Sequence, residues 1–238
     1  MKFITLFWGV LLLNLFAYTT IKLRPKIFKV KIFKPMLWNI RLSVLPIFIL
    51  LGNVLLFIIL SIGSAYSHIR FFSVLAYILF FTGLLIWLLF LPNAGYLITE
   101  LNLTHRGEDE TEVPIWYDIV SVLSFALSGI INTLANIVLI QLSFLVAFDP
   151  QNLSALAYTA LFFSGFGIIL LIVVGIYLGR AVRFNSWDAL HLLSFFKKLK
   201  SHFSKHGIIK EFFLYILFNT VFFLIMYAAF GIPFYFIK

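Results

Sequence analysis

Residues 91–118 read LPNAGYLITELNLTHRGEDETEVPIWYD, the one long polar interruption in an otherwise apolar chain. Six of the nine acidic residues fall in it: Glu100, Glu108, Asp109, Glu110, Glu112 and Asp118. One apolar run ends at Pro92 and another begins at Ile119, so the stretch marks where the chain leaves an apolar medium and returns to it. If both runs cross a hydrocarbon core, residues 91–118 form a loop at one membrane face, and the rest of the sequence can be ordered around that loop.

The composition agrees with a membrane. Of 238 residues, 63% are hydrophobic and 11% charged, and the mean hydropathy is +1.08. Soluble domains carry about 25% charged residues. Several apolar runs reach the roughly 20 residues that a helix needs to cross a core of about 30 Å. The runs are continuous rather than alternating, which selects helices over a closed barrel. The expected fold is all-α, a polytopic bundle forming a single domain over residues 1–238. Six transmembrane helices are predicted at about 3–21, 43–66, 71–91, 119–148, 153–179 and 212–230, with an amphipathic helix at about 186–204. The first run lacks a small-residue cleavage site and carries Asn14, so it reads as a retained helix rather than a signal peptide. Pro46 is expected in the first turns of the second helix, where a missing N–H costs least.

Charge sets the orientation. Lys22, Arg24, Lys26, Lys29, Lys31, Lys34 and Arg41 precede the second helix, and Arg180, Arg183, Lys197, Lys198, Lys200, Lys205 and Lys210 precede the last. Lys and Arg favour the cytoplasmic side, so both loops are expected there, with the N- and C-termini extracytoplasmic. Residues 91–118 then fall on the cytoplasmic side too, and their acids do not contradict this because Asp and Glu contribute little to orientation. The net charge of +9 is thereby assigned to topology and to anionic membrane lipids as partners, not to nucleic acid. The absence of cysteine excludes disulfides, thiolate metal sites and cysteine nucleophiles.

On either side of the opening stretch lie two further polar features. In the fourth helix Ser121, Ser124, Ser128, Asn132 and Asn136 recur at intervals of three or four, which places them on one helical face pointing into the bundle. They serve either hydrogen bonding between helices or a polar pathway for a solute or proton. In the fifth helix Gly175 and Gly179 form a G-x-x-x-G spacing that lets another helix approach closely. After it, Asn185 and Asp188 have the spacing of a capping box, so a helix is expected to start near Ser186. Its apolar stripe of Leu192, Leu193, Phe196, Leu199 and Phe203, opposed by His191, Ser194, Lys198, Ser201, His202 and Lys205, predicts a helix lying on the cytoplasmic leaflet.

The stretches LPNAGYL at 91–97, WYD at 116–118 and GIYLGRAVRFNSWD at 175–188 resemble the bacterial membrane-protein family catalogued as domain of unknown function 1361. One departure is Gly95, where that family's pattern leads one to expect proline. The resemblance implies a membrane fold and location and carries over no catalytic residue.

The candidate polar site is Asn93, Tyr96, Glu100, Trp116, Tyr117, Asp118, Arg180, Arg183, Asn185, Ser186, Trp187 and Asp188, three short segments expected to converge at the cytoplasmic face. Arg180 and Arg183 can pair with phosphate, anchor a helix end on anionic lipid, or neutralise Glu100 or Asp118. Tyr96 and Glu100, at i and i+4, are expected to share a helical face. Glu100 and Asp118 can act as general acid and base or as a buried ion pair. Trp116, Tyr117 and Trp187 read as interfacial anchors. Residues 105–112 read as a solvated loop. No catalytic, nucleotide or metal motif occurs, and neither a cofactor nor a metal is expected. Three functions fit: an accessory or assembly protein of the cell membrane; a binder or enzyme acting on an anionic lipid headgroup or phosphorylated substrate; and a small-solute carrier using the Ser/Asn stripe.

Overall fold

A computed structural model describes residues 2–32, 34–100, 113–148, 155–182 and 192–230. Among these there is no strand. The helices are α1 (Lys2–Phe28), α2 (Lys34–Ser67), α3 (Arg70–Phe90), α4 (Pro92–Gly95), a 3-10 helix (Tyr96–Glu100), α5 (Ile115–Phe148), α6 (Ala155–Ala181), α7 (Leu192–Phe203) and α8 (Ile208–Ala229). Among the described residues six stretches are long and apolar enough to cross a membrane: Ile4–Phe28, Lys34–Ser67, Arg70–Thr99, Ile115–Phe144, Thr159–Ala181 and Ile208–Ala229. The protein is an all-α, multi-pass membrane protein.

Helix α5 is the hub. In its most apolar window 83% of residues are buried, against 17–35% in the other five spans. Helices α1 and α2, the 91–100 segment, α6 and α8 pack around it, while α2 and α3 form an antiparallel pair. The sequence of α5 explains its place. It carries small residues, Ser121, Ser124, Ala126, Ser128, Gly129, Thr133 and Ala135, which let neighbouring backbones come close when no water is available to drive association. Its 34 residues span about 51 Å at 1.5 Å each, more than the hydrocarbon core, so it must tilt or project.

Two helices outrun their apolar stretches. Helix α1 continues from the expected end at residue 21 to Phe28, passing Pro25, and stops where Lys29 turns to a φ of 57°. Helix α2 starts at Lys34, nine residues before the expected 43. Hydropathy marks the edge of the hydrocarbon, whereas Lys, Arg and Met are good helix formers and carry the helix into the headgroup region. Pro46 consequently lies buried in the interior of α2 rather than in its first turns, and it deprives the Leu42 carbonyl of a helical N–H.

Pro92 does not end the third span outright. Leu91 keeps helical angles (φ −54°, ψ −40°) and Pro92 opens a new turn at the first helical position, where its missing N–H is harmless. The segment it starts is buried at Leu91, Ala94 and Leu97. It is wedged among α2, α5 and α6. Two glycines make room for it. A Cβ on Gly175 would collide with the Pro92 ring, and one on Gly129 would sit 2.8 Å from Leu97 Cβ. The close approach expected at Gly175 is thus made to the 91–100 segment of the same chain.

Candidate functional site

The loop ends and basic residues meet at one end of the bundle. There α1, the 91–100 segment and α6 finish, and α2, α5 and α8 begin. Three contacts fix this arrangement: Arg24 to Asp118, Arg180 to Thr99, and Tyr177 to Phe212.

Asp118 sits in the first turn of α5, where a carboxylate favours the positive end of the helix. Its side chain is 1% exposed and its Oδ1 lies 3.1 Å from Nη1 of Arg24, itself 12% exposed. One residue earlier, the Tyr117 hydroxyl donates to the Thr20 carbonyl at 2.7 Å, and its ring meets Phe28 edge-on at 4.8 Å. One turn later, the Thr20 and Ser121 hydroxyls bond at 3.1 Å. Residues 117–121 therefore clasp the end of α1. Tyr117 is buried, so it is no interfacial anchor, whereas Trp116 is 65% exposed and keeps that geometry.

Arg180 goes elsewhere. Its Nη2 donates to the Thr99 carbonyl at 3.2 Å and its guanidinium lies 5.9 Å from the centre of the Tyr96 ring. Two of the three expected segments meet in this way, 93–100 and 180. Segment 116–118 contacts α1 through Asp118 and Tyr117. Asn93 is half-buried, and its carbonyl accepts from the Tyr96 N–H. Tyr96 and Glu100 are the first and last residues of the five-residue 3-10 helix, not of an α-helical turn. Arg183, Asn185, Ser186, Trp187 and Asp188 lie outside the described residues, as does the loop at 101–112. Described helix α7 begins at Leu192, so the expected start near Ser186 also falls outside.

The Ser/Asn stripe is buried along its whole length. The amides of Asn14 and Asn132 pair reciprocally at 2.6 and 3.0 Å. Asn132 Nδ2 also donates to Ser43 Oγ at 2.9 Å, and Ser43 Oγ donates to the Ala94 carbonyl at 2.8 Å. Asn136 donates to the Asn132 carbonyl at 2.8 Å and accepts from Trp87 Nε1 at 2.9 Å. A single chain of hydrogen bonds thus joins α1, α2, α3, the 91–100 segment and α5. Ser124 and Ser128 donate to carbonyls three residues back in α5 itself. Toward the other end, Gln141 donates to the Leu161 carbonyl at 2.8 Å, with Ser164 Oγ and Tyr227 Oη within 3.3 Å.

Sequence reasoning missed Arg24, Thr20, Ser43 and Trp87 as members of these constellations. Arg24 and Thr20 were hidden in what reads as the end of a span and its basic flank. Ser43 and Trp87 gave no signal, since nothing local distinguishes an inward-facing Ser or Trp from one facing lipid.

The sequence model of one family, described as "Protein of unknown function (DUF1361)", matches residues 38–226. No curated protein and no solved structure matches the chain.

Proposed function

The chain belongs to the family of proteins of unknown function DUF1361, and on that premise we infer that it is an accessory or assembly protein of the cell membrane rather than a carrier or channel. The hydrogen-bond chain through Asn132 carries this reading. Both hydrogens of the Asn132 amide and its oxygen are engaged by Asn14 and Ser43, and Asn136 is held by Trp87. A polar path needs groups that can exchange partners with a passing solute. This stripe is committed to holding helices together, a common use of Ser and Asn in membranes. The charged end lies on the cytoplasmic side, where its lysines and arginines satisfy the charge bias, and both termini are extracytoplasmic.

Extraction in native nanodiscs tests the reading. Other membrane proteins should co-purify in the same nanodiscs as the 27.4 kDa chain, and reconstituted vesicles should pass no more protons or small solutes than empty ones. Purification of the chain alone, together with a flux abolished by Asn132→Leu, overturns it. The exposed Arg180 beside Tyr96 favours a second reading, an anionic headgroup held at that corner. Its check is lipid mass spectrometry, with Arg180→Gln losing a co-purified acidic phospholipid that the parent retains.

A further inference from the structure

Helix α7 divides its apolar stripe between two surroundings. At 100° per residue, Phe195, Leu199, His202 and Phe203 fall on one side, and these four are half-buried. His202 Nε2 lies 2.9 Å from the Tyr177 hydroxyl of α6, and the Tyr177 ring stacks on Phe203 and meets Phe212 of α8 edge-on. The helix is therefore pinned to the bundle at its C-terminal turn. The adjoining strip is Leu193, Phe196, Lys197 and Lys200, spaced i, i+3, i+4 and i+7. Leu193 is 90% exposed and Phe196 60%. Two large exposed apolar side chains interleaved with two lysines form a surface that water alone does not suit.

We propose that this strip of α7 docks on acidic phospholipid headgroups in the leaflet at the charged end of the bundle, with Leu193 and Phe196 entering the acyl boundary. Two observations select a lipid leaflet over a protein. The first is continuity. Only residues 204–207 separate α7 from α8, a membrane-spanning helix whose Phe213, Leu217 and Phe218 are 65%, 57% and 68% exposed. A shallow apolar groove lined by Gly207, Lys210, Glu211, Leu214, Tyr215 and Phe218 opens along the first turns of α8. The second is charge. From residue 192 to 215 there are five lysines, Lys197, Lys198, Lys200, Lys205 and Lys210, and one acid, Glu211. An apolar face bordered by lysines binds a surface that offers both an acyl boundary and negative headgroups.

The chain has no cysteine, so single cysteines at positions 193, 196, 198 and 201 can each carry a fluorophore in the full-length protein. The labelled proteins are reconstituted in nanodiscs of phosphatidylcholine with or without phosphatidylglycerol. Lipids bearing a shallow nitroxide should quench positions 193 and 196 several-fold more than 198 and 201 when phosphatidylglycerol is present. The difference should shrink without it, in high salt, and in the Lys197→Gln/Lys200→Gln variant. Equal quenching at all four positions overturns the proposal. So does quenching at 193 and 196 that ignores phosphatidylglycerol and the lysines. Protection of 193 and 196 from both lipid and aqueous quenchers also overturns it, because the strip is then covered by protein. An unchanged thermal unfolding midpoint and unchanged extraction behaviour distinguish a folded variant that fails to dock from one that has lost its fold.

Discussion

Arg24 and Asp118 are charged groups buried where α1 ends and α5 begins, and each offsets the other's charge. Removing one partner of a buried pair leaves an uncompensated charge, a larger loss than the pair itself contributes. Asp118→Asn is expected to destabilise the protein by about 3 kcal/mol in SDS or thermal unfolding, while Arg24→Met/Asp118→Leu together should recover most of it. Asn132→Leu loses its pairings with Asn14 and Ser43. At about 0.6 kcal/mol for each bond in a membrane, the expected loss is about 2 kcal/mol, read in the same unfolding measurement. The charges themselves were legible in the sequence, but their pairing was not. Arg180 and Arg24 both lie close to helix ends on the expected face, and which one reaches Asp118 depends on how far α1 extends beyond its apolar stretch.

Among the elements, the spans followed from hydropathy because a bilayer imposes one length on every crossing. Their mutual arrangement did not. A lone Asn within an apolar run, such as Asn14 or Asn53, announces an inward-facing contact without naming the partner. Asn53 donates to the Phe80 carbonyl of α3, in a space that Gly83 leaves open. Gly175 likewise announced a close approach, and its partner is a proline ring rather than a helix face. The distinction can be tested at three glycines. Gly175→Val and Gly129→Val should each cost about 1–3 kcal/mol in unfolding assays, since the wedge of residues 91–100 has no room to retreat. A Cβ at Gly167 meets nothing within 4 Å, so Gly167→Ala should be neutral or stabilising by up to about 1 kcal/mol. Similar losses at all three positions would mean that the wedge is not seated as described.

For the whole molecule, six spans among the described residues bring 22–32, 34–41, 92–100, 113–118, 180–182 and 192–210 to one end and the turn around His68 to the other. Single cysteines replacing Lys29, Asp109 and Lys205 should react with an impermeant reagent from the same side of the membrane, and one replacing Tyr66 from the opposite side. Labelling of position 109 from the Tyr66 side would break the arrangement, because Thr99 and Asp118 bracket that loop and contact Arg180 and Arg24.

The pairing of Asn14 with Asn132 also sets a timetable. The two residues are separated by 118 positions, and at about 5–20 residues per second the ribosome needs on the order of 10 s to supply the second after the first. Throughout that interval α1 is in the bilayer without its main neighbour. Asn14 has a local expedient, since its amide also donates to the Val10 carbonyl one turn back at 2.8 Å. Arg24 has no comparable bond within α1 among those described, and α5 brings its carboxylate only when residue 118 has emerged. The wedge waits longer still, because Gly175 and Arg180, which contact it, are made after α5 is complete. A nascent chain arrested before residue 115 should therefore hold α1 as a separable helix, accessible to lipid-borne photocrosslinkers on the face that Asn132 later covers. Chains released after residue 181 should lose those crosslinks.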